Sequence, residues 1–113
     1  MKLVKEAIPL TEIEEMAGRK FGDLVKAVVD IERGLMAIDA ELHADEEALL
    51  IAEGSQQQDL WGVNIYPGLP RAEWLEYDSM INLRPAQGNR SRQVESPEVR
   101  GKIAGIVGRL VKP

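Results

Sequence analysis

Residues 24–42, LVKAVVDIERGLMAIDAEL, constrain the fold more than any other stretch of this chain. The run LVKAVVDI (24–31) is rich in β-branched residues and alternates in part. Val25, Ala27, Val29 and Ile31 share one face, and Lys26 and Asp30 fall on the other. ERG (32–34) is a short turn in which Gly34 is free to take a positive φ. LMAIDAEL (35–42) then alternates again, with Met36, Ile38, Ala40 and Leu42 inward and Asp39 and Glu41 outward. Two alternating runs about a tight turn predict a β-hairpin with one apolar face, which has to be covered.

The remaining elements are read from caps and periodicity. Thr11, with Glu14 three residues on, has the form of a capping box, and Ile13, Met16, Ala17 and Phe21 make an apolar stripe that Gly22 ends. HADEEALLIAEG (43–54) reads as a helix capped by Asp45, with Glu46 and Glu47 at the positive end of its dipole and Gly54 beyond its end. Its ALLI segment is also compatible with a strand. WGVNIY (61–66) sets Trp61, Val63 and Ile65 against Gly62, Asn64 and Tyr66. EWLEYDSMINLR (73–84) alternates as one long strand, and PAQGNRSRQVE (85–95) follows as a polar loop. Ser96 caps a last helix with Pro97 at its first position and a stripe of Val99, Ile103, Ile106, Val107 and Leu110. The expected fold is α+β, a single domain over 1–113 in the order α-β-β-α-β-β-α. Its four-stranded, mainly antiparallel sheet carries helices on one face and leaves the other face polar.

Composition narrows the chemistry. No cysteine is present, which removes disulfides, thiolate nucleophiles and Cys-ligated metal sites and fits a reducing cytoplasm. No apolar run approaches the roughly 20 residues that span a bilayer, and Glu6 and Pro9 interrupt the N-terminal segment, so neither a membrane span nor a signal peptide is expected. The net charge of −5 hides an asymmetry: residues 1–83 hold seven basic against seventeen acidic side chains, and residues 84–113 hold seven against two. A dominant acidic part makes nucleic acid an unfavoured partner. The asymmetry points instead to self-complementarity, within the fold or between copies in a homo-oligomer.

Two stretches offer chemistry. In DAELHAD (39–45), every second residue is Asp39, Glu41, His43 or Asp45. On a continuous strand these would project together, with neighbours two apart separated by about 6.6–7 Å. Asp39, Glu41 and His43 are then candidate ligands for a divalent metal. Asp78, Glu76 and Asn64 on adjacent strands are the donors that would complete the set. His43 is the only histidine, so an imidazole base has to be this residue; Asp78 is a second catalytic candidate, and nothing in the sequence places it beside His43. The plainer reading is a wet strand face and a helix cap. The second stretch, NLRPAQGNRSR (82–92), presents Arg84, Gln87, Asn89, Arg90 and Arg92 as a fork for a phosphate or carboxylate, close to the helix start at Ser96. Neither GxxxxGK[ST] nor GxGxxG occurs, and a solvated loop whose arginines pair with acids explains the same residues.

FGDLVKAVVDIERG (21–34), ELHADEEALL (41–50) with DLWGVNIYP (59–67), and DSMINLRPAQGNRSR (78–92) together resemble a family of short bacterial and archaeal proteins classed as a domain of unknown function. The resemblance spans nearly the whole chain. It implies a stand-alone protein, and it carries no activity, cofactor or catalytic residue with it. Three functions follow from the residues: a self-associating binding module, an enzyme acting on a small phosphorylated or carboxylated substrate, or a small nucleic-acid effector.

Overall fold

A computed structural model describes all 113 residues. Its centre is β3 (Val25–Asp30), which pairs antiparallel with β4 (Leu35–Ile38) on one side and with β5 (Leu60–Ile65) on the other. β1 (Lys2–Val4) adds outside β4, and β6 (Leu75–Glu76) adds outside β5. The result is a five-stranded antiparallel sheet in the order β1-β4-β3-β5-β6, one strand more than expected. A separate parallel ladder joins β2 (Ile8–Pro9) to β7 (Val111–Lys112), tying the two ends of the chain together.

The β3–β4 hairpin has the reason the sequence suggested and one it did not. Gly34 takes φ +69°, and the buried Asp30 carboxylate organises the turn. Its Oδ1 accepts the N–H of Glu32 and of Arg33, each at 2.9 Å, and its Oδ2 accepts the Ser55 hydroxyl at 2.6 Å.

Alternation divides the sheet between two cores. Val25, Ala27, Val29, Met36, Ile38, Trp61, Val63 and Ile65 face α1 (Leu10–Arg19) and α3 (Pro97–Leu110), which contribute Ile13, Met16, Ala17, Ile103, Ile106, Val107 and Leu110. The opposite face carries Val28, Leu35, Ala37 and Leu60, and Leu50 of α2 (His43–Ala52) covers them. Helices therefore lie on both faces, which corrects the expected single-sided arrangement. The physical cause is visible in AVV and LMAI, where apolar residues run consecutively and both faces need burial.

Two local corrections shape the site. β4 stops at Ile38 because Asp39 turns the backbone to φ +67°, so the alternating DAELHAD strand does not form. α2 begins at His43 behind Leu42, with no side-chain cap, and Asp45 lies inside its first turn as neither cap nor strand residue. Thr11 likewise lies inside α1, which starts at Leu10 after Pro9. The cap of α3 is as expected, with Ser96 Oγ accepting the Val99 N–H at 3.2 Å.

The long strand expected over 73–84 is also absent. Beyond β6 the chain makes 3₁₀ turns at Met80–Asn82 and Pro85–Gln87. It packs closely over β5 at Gly62, where an added Cβ would lie 2.6 Å from Ser79 Cβ. The Asn82 side chain takes the place of a paired strand. Its Oδ1 accepts the Gly62 N–H at 2.8 Å, and its Nδ2 donates to the Gly62 carbonyl at 2.9 Å and the Arg92 carbonyl at 3.0 Å.

Candidate functional site

On the α2 side of the sheet, one half is apolar and the other polar. Lys26 of β3 lies opposite Asn64 of β5, and Asn64 lies opposite Glu76 of β6. The pleat sends these three to the same face. The first turn of α2 and the chain after β6 close over them and leave a cleft of about 210 Å³, lined by Lys26, His43, Asn64, Asp78 and Arg92, with Leu42 and Met80 at its mouth. Three expected site residues, His43, Asp78 and Arg92, are thus brought together, and Lys26 and Asn64 join them.

His43 is anchored by its Nε2, 2.8 Å from the Val63 carbonyl. A carbonyl oxygen only accepts, so Nε2 carries the proton and Nδ1 keeps the lone pair. Burial holds the ring below its ordinary 6.5, so it is neutral at pH 7. The Val63 carbonyl opposes that shift, Lys26 reinforces it, and Asn64 and Asp78 oppose it more weakly. Asn64 Nδ2 donates to Glu76 Oε1 at 2.7 Å and the Asp78 carbonyl at 3.3 Å, while its buried Oδ1 has no hydrogen-bond partner. Asp78 Oδ1 accepts Arg92 Nε at 3.0 Å, which orients that guanidinium at the cleft.

The other expected residues are not assembled. Asp39 pairs with Lys20 at 3.3 Å, and Glu41 is exposed in the segment before α2. No group of three or more His, Asp or Glu side chains is placed to hold a metal ion, so Asp39, Glu41 and His43 do not form a ligand set. The arginine fork is dispersed as well. Arg84 lies 4.2 Å over the Trp61 ring and donates to the carbonyls of Gln57 and Leu60. Gln87 accepts from Arg84 and donates to the Gln58 carbonyl, each at 3.1 Å. Asn89 is buried; its Nδ2 donates to the carbonyls of Asn82, Ser91 and Gln93, and its Oδ1 accepts the Glu95 N–H. Arg90 is exposed and forms no ion pair. Of the five, only Arg92 reaches the His43 cleft.

Three clefts are larger, and two of them lack the complementary charge. One, about 520 Å³, contains Gln87 and Asn89 beside Trp61, and its single ionised side chain is Glu95. The other, about 440 Å³, carries Glu14 and Asp23. Neither presents a cation to an anion; the third, about 350 Å³, holds Arg19 and Lys20 beside Glu41, and Lys20 is already paired with Asp39.

Glu46 was not foreseen. It is fully buried on α2 in line with His43 and Leu50, the spacing of one helix face. Its Oε2 accepts the Ala40 N–H at 3.0 Å, and its Oε1 is enclosed without a partner. Burial pushes its pKa from 4.5 up to about 9, against the smaller opposing effects of the Ala40 N–H and Lys26. Glu46 is therefore a neutral acid at pH 7.

Fold and site define a small α+β protein, an antiparallel sheet with helices on both faces and a polar cleft that holds two cations at the start of α2. The chain belongs to the protein family of unknown function DUF5674, whose model matches residues 2–110. No curated protein and no solved structure matches it. No helix is long and apolar enough to cross a membrane.

Proposed function

We propose that the His43 cleft binds a small molecule bearing a phosphate or carboxylate, and that His43 acts on it as a general base. One observation carries this reading: Lys26 and Arg92 line the same cleft as the uncapped first turn of α2. The opening N–H groups of a helix have no partner within it and sit at the positive end of its dipole. Two cations beside them suit an anion. The open cleft, about 210 Å³, suits a small anionic group. Neutral His43 keeps a lone pair for a ligand proton, and the Asp78 carboxylate favours the imidazolium that would result.

Calorimetric titration with inorganic phosphate and, separately, with succinate tests the reading. Lys26→Met and Arg92→Gln are each expected to weaken binding by about tenfold, one 1.4 kcal/mol contact. His43→Gln should leave binding near wild type. Absence of heat with both anions, or unchanged affinity in the Lys26→Met/Arg92→Gln double variant, would overturn it.

We also propose that the chain works as a homo-oligomer. Only one ion pair, Arg92 to Asp78, joins the basic stretch after residue 83 to the acidic part of its own fold. Of its other cations, Lys102 pairs with Glu98, and Arg84, Arg100 and Arg109 bond to carbonyls, which leaves Arg90 and Lys112 for a second copy. Light scattering across a dilution series tests this, and a monomer mass throughout would refute it.

A further inference from the structure

We propose that the outer face of α2 and the adjoining segment 79–92 form a two-fold interface between two copies of this chain, an inference that rests on the self-association reading above. Of the seven large apolar side chains the fold leaves exposed, four belong to this layer: Leu42, Ile51, Met80 and Leu83. Leu42 and Met80, 56% and 63% exposed, both line the His43 cleft. α2 packs against the Met80–Asn82 turn, and Arg92 lines the same cleft as the first turn of α2. Ala44 and Ala48 are exposed on α2 between Leu42 and Ile51. A helix that faces water normally turns a polar side to it. α2 is instead apolar on much of its outer side as well as beneath it.

Charge selects the occupant. Residues 41–53 carry Glu41, Asp45, Glu47 and Glu53 beside the buried Glu46, and no lysine or arginine. Residues 79–92 carry three arginines and no acid; Arg84 is held on Trp61 and two carbonyls and Arg92 on Asp78, so exposed Arg90 is the cation left free. No ion pair joins these two ribbons within the chain. A two-fold rotation lays the acidic ribbon of one copy on the basic ribbon of the other and repeats the contact on the far side of the axis. The surface is thus complementary to itself. An anionic membrane surface would meet the acidic ribbon with repulsion. Because Leu42 and Met80 border the cleft, the second copy would also restrict its mouth.

Sedimentation and light scattering over a dilution series test the proposal on the full chain, with circular dichroism to confirm each variant's fold. The wild type should dimerise, and Met80→Asp should be monomeric. Arg90→Glu and Asp45→Arg alter exposed side chains, and each should weaken the dimer by about tenfold. The Asp45→Arg/Arg90→Glu double variant should recover much of that loss, because the reversed ribbons again complement each other. A dimer that all these variants leave unchanged would overturn this surface while sparing self-association. A wild type that stays monomeric would overturn both. Loss in each single variant without recovery in the double would overturn the two-ribbon arrangement.

Discussion

Replacing Glu46 with glutamine should change the pH dependence of stability more than stability at any single pH. In the unfolded chain this carboxyl titrates near 4.5, and in the fold burial holds it to about 9. Between those values the folded state retains a proton that the unfolded state has lost. Its contribution is therefore fully present below 4.5 and is lost as pH rises toward 9. The slope is about 1.4 kcal/mol per pH unit, so pH 7 carries a penalty of roughly 3 kcal/mol relative to the acid end. That is a large share of the ~5–15 kcal/mol by which domains are stable. Glutamine retains an oxygen for the Ala40 N–H and does not titrate. Urea unfolding of both proteins, at matched m-values, isolates the effect because every other group cancels in the difference. From about pH 5 to 8 the difference should move toward the variant by roughly 4 kcal/mol. Parallel stability curves, or a constant offset, would mean that Glu46 is ionised in the fold and would refute the reasoning.

Gly62→Ala should destabilise by about 1–3 kcal/mol because its Cβ would meet Ser79 Cβ at 2.6 Å, and Ser79→Gly in the same chain should recover most of the loss in thermal unfolding. Asn82→Ala removes three bonds to buried or partly buried backbone groups and should cost about 2–4 kcal/mol, read as a lower urea midpoint at constant m. His43 has the opposite sign to Glu46. Its pKa is depressed, so its stabilisation is complete above 6.5 and is lost as pH falls, and His43→Gln should flatten the acid limb of the stability profile.

Much of the sheet was legible because period-2 alternation is a local signal. The faces of β3, β5 and the start of β4 follow it residue by residue. The Ser96 cap was legible for the same reason, since it needs only its own first turn. Failures came where a distant or irregular contact replaced a local one. Asp39 ends β4 at a left-handed φ that aspartate tolerates better than most residues, and nothing in IDAEL marks it. β1, β2 and β7 are two or three residues long, too short to show a period. The 73–84 run alternates well enough for a strand. Asn82 nevertheless satisfies Gly62 through its side chain, and the chain curls into 3₁₀ turns over a glycine that leaves room for it.

The site divides along the same line. His43, Asp78 and Arg92 were identifiable by residue type, yet their meeting depends on register and on where α2 starts. Lys26 was visible as an outward residue of β3, but it becomes part of a site only because β5 sets Asn64 opposite it and α2 covers that face. The arginine loop shows the reverse. A loop without a ladder must first pair its own backbone. Asn89 is spent on three carbonyls and an N–H, and Arg84 on two carbonyls, before any ligand could be served. Polar side chains in such a segment are better read as its internal scaffold unless a cleft with unpaired charge adjoins them. Here that condition selects Arg92 alone, the one residue of the loop's five that lines the His43 cleft.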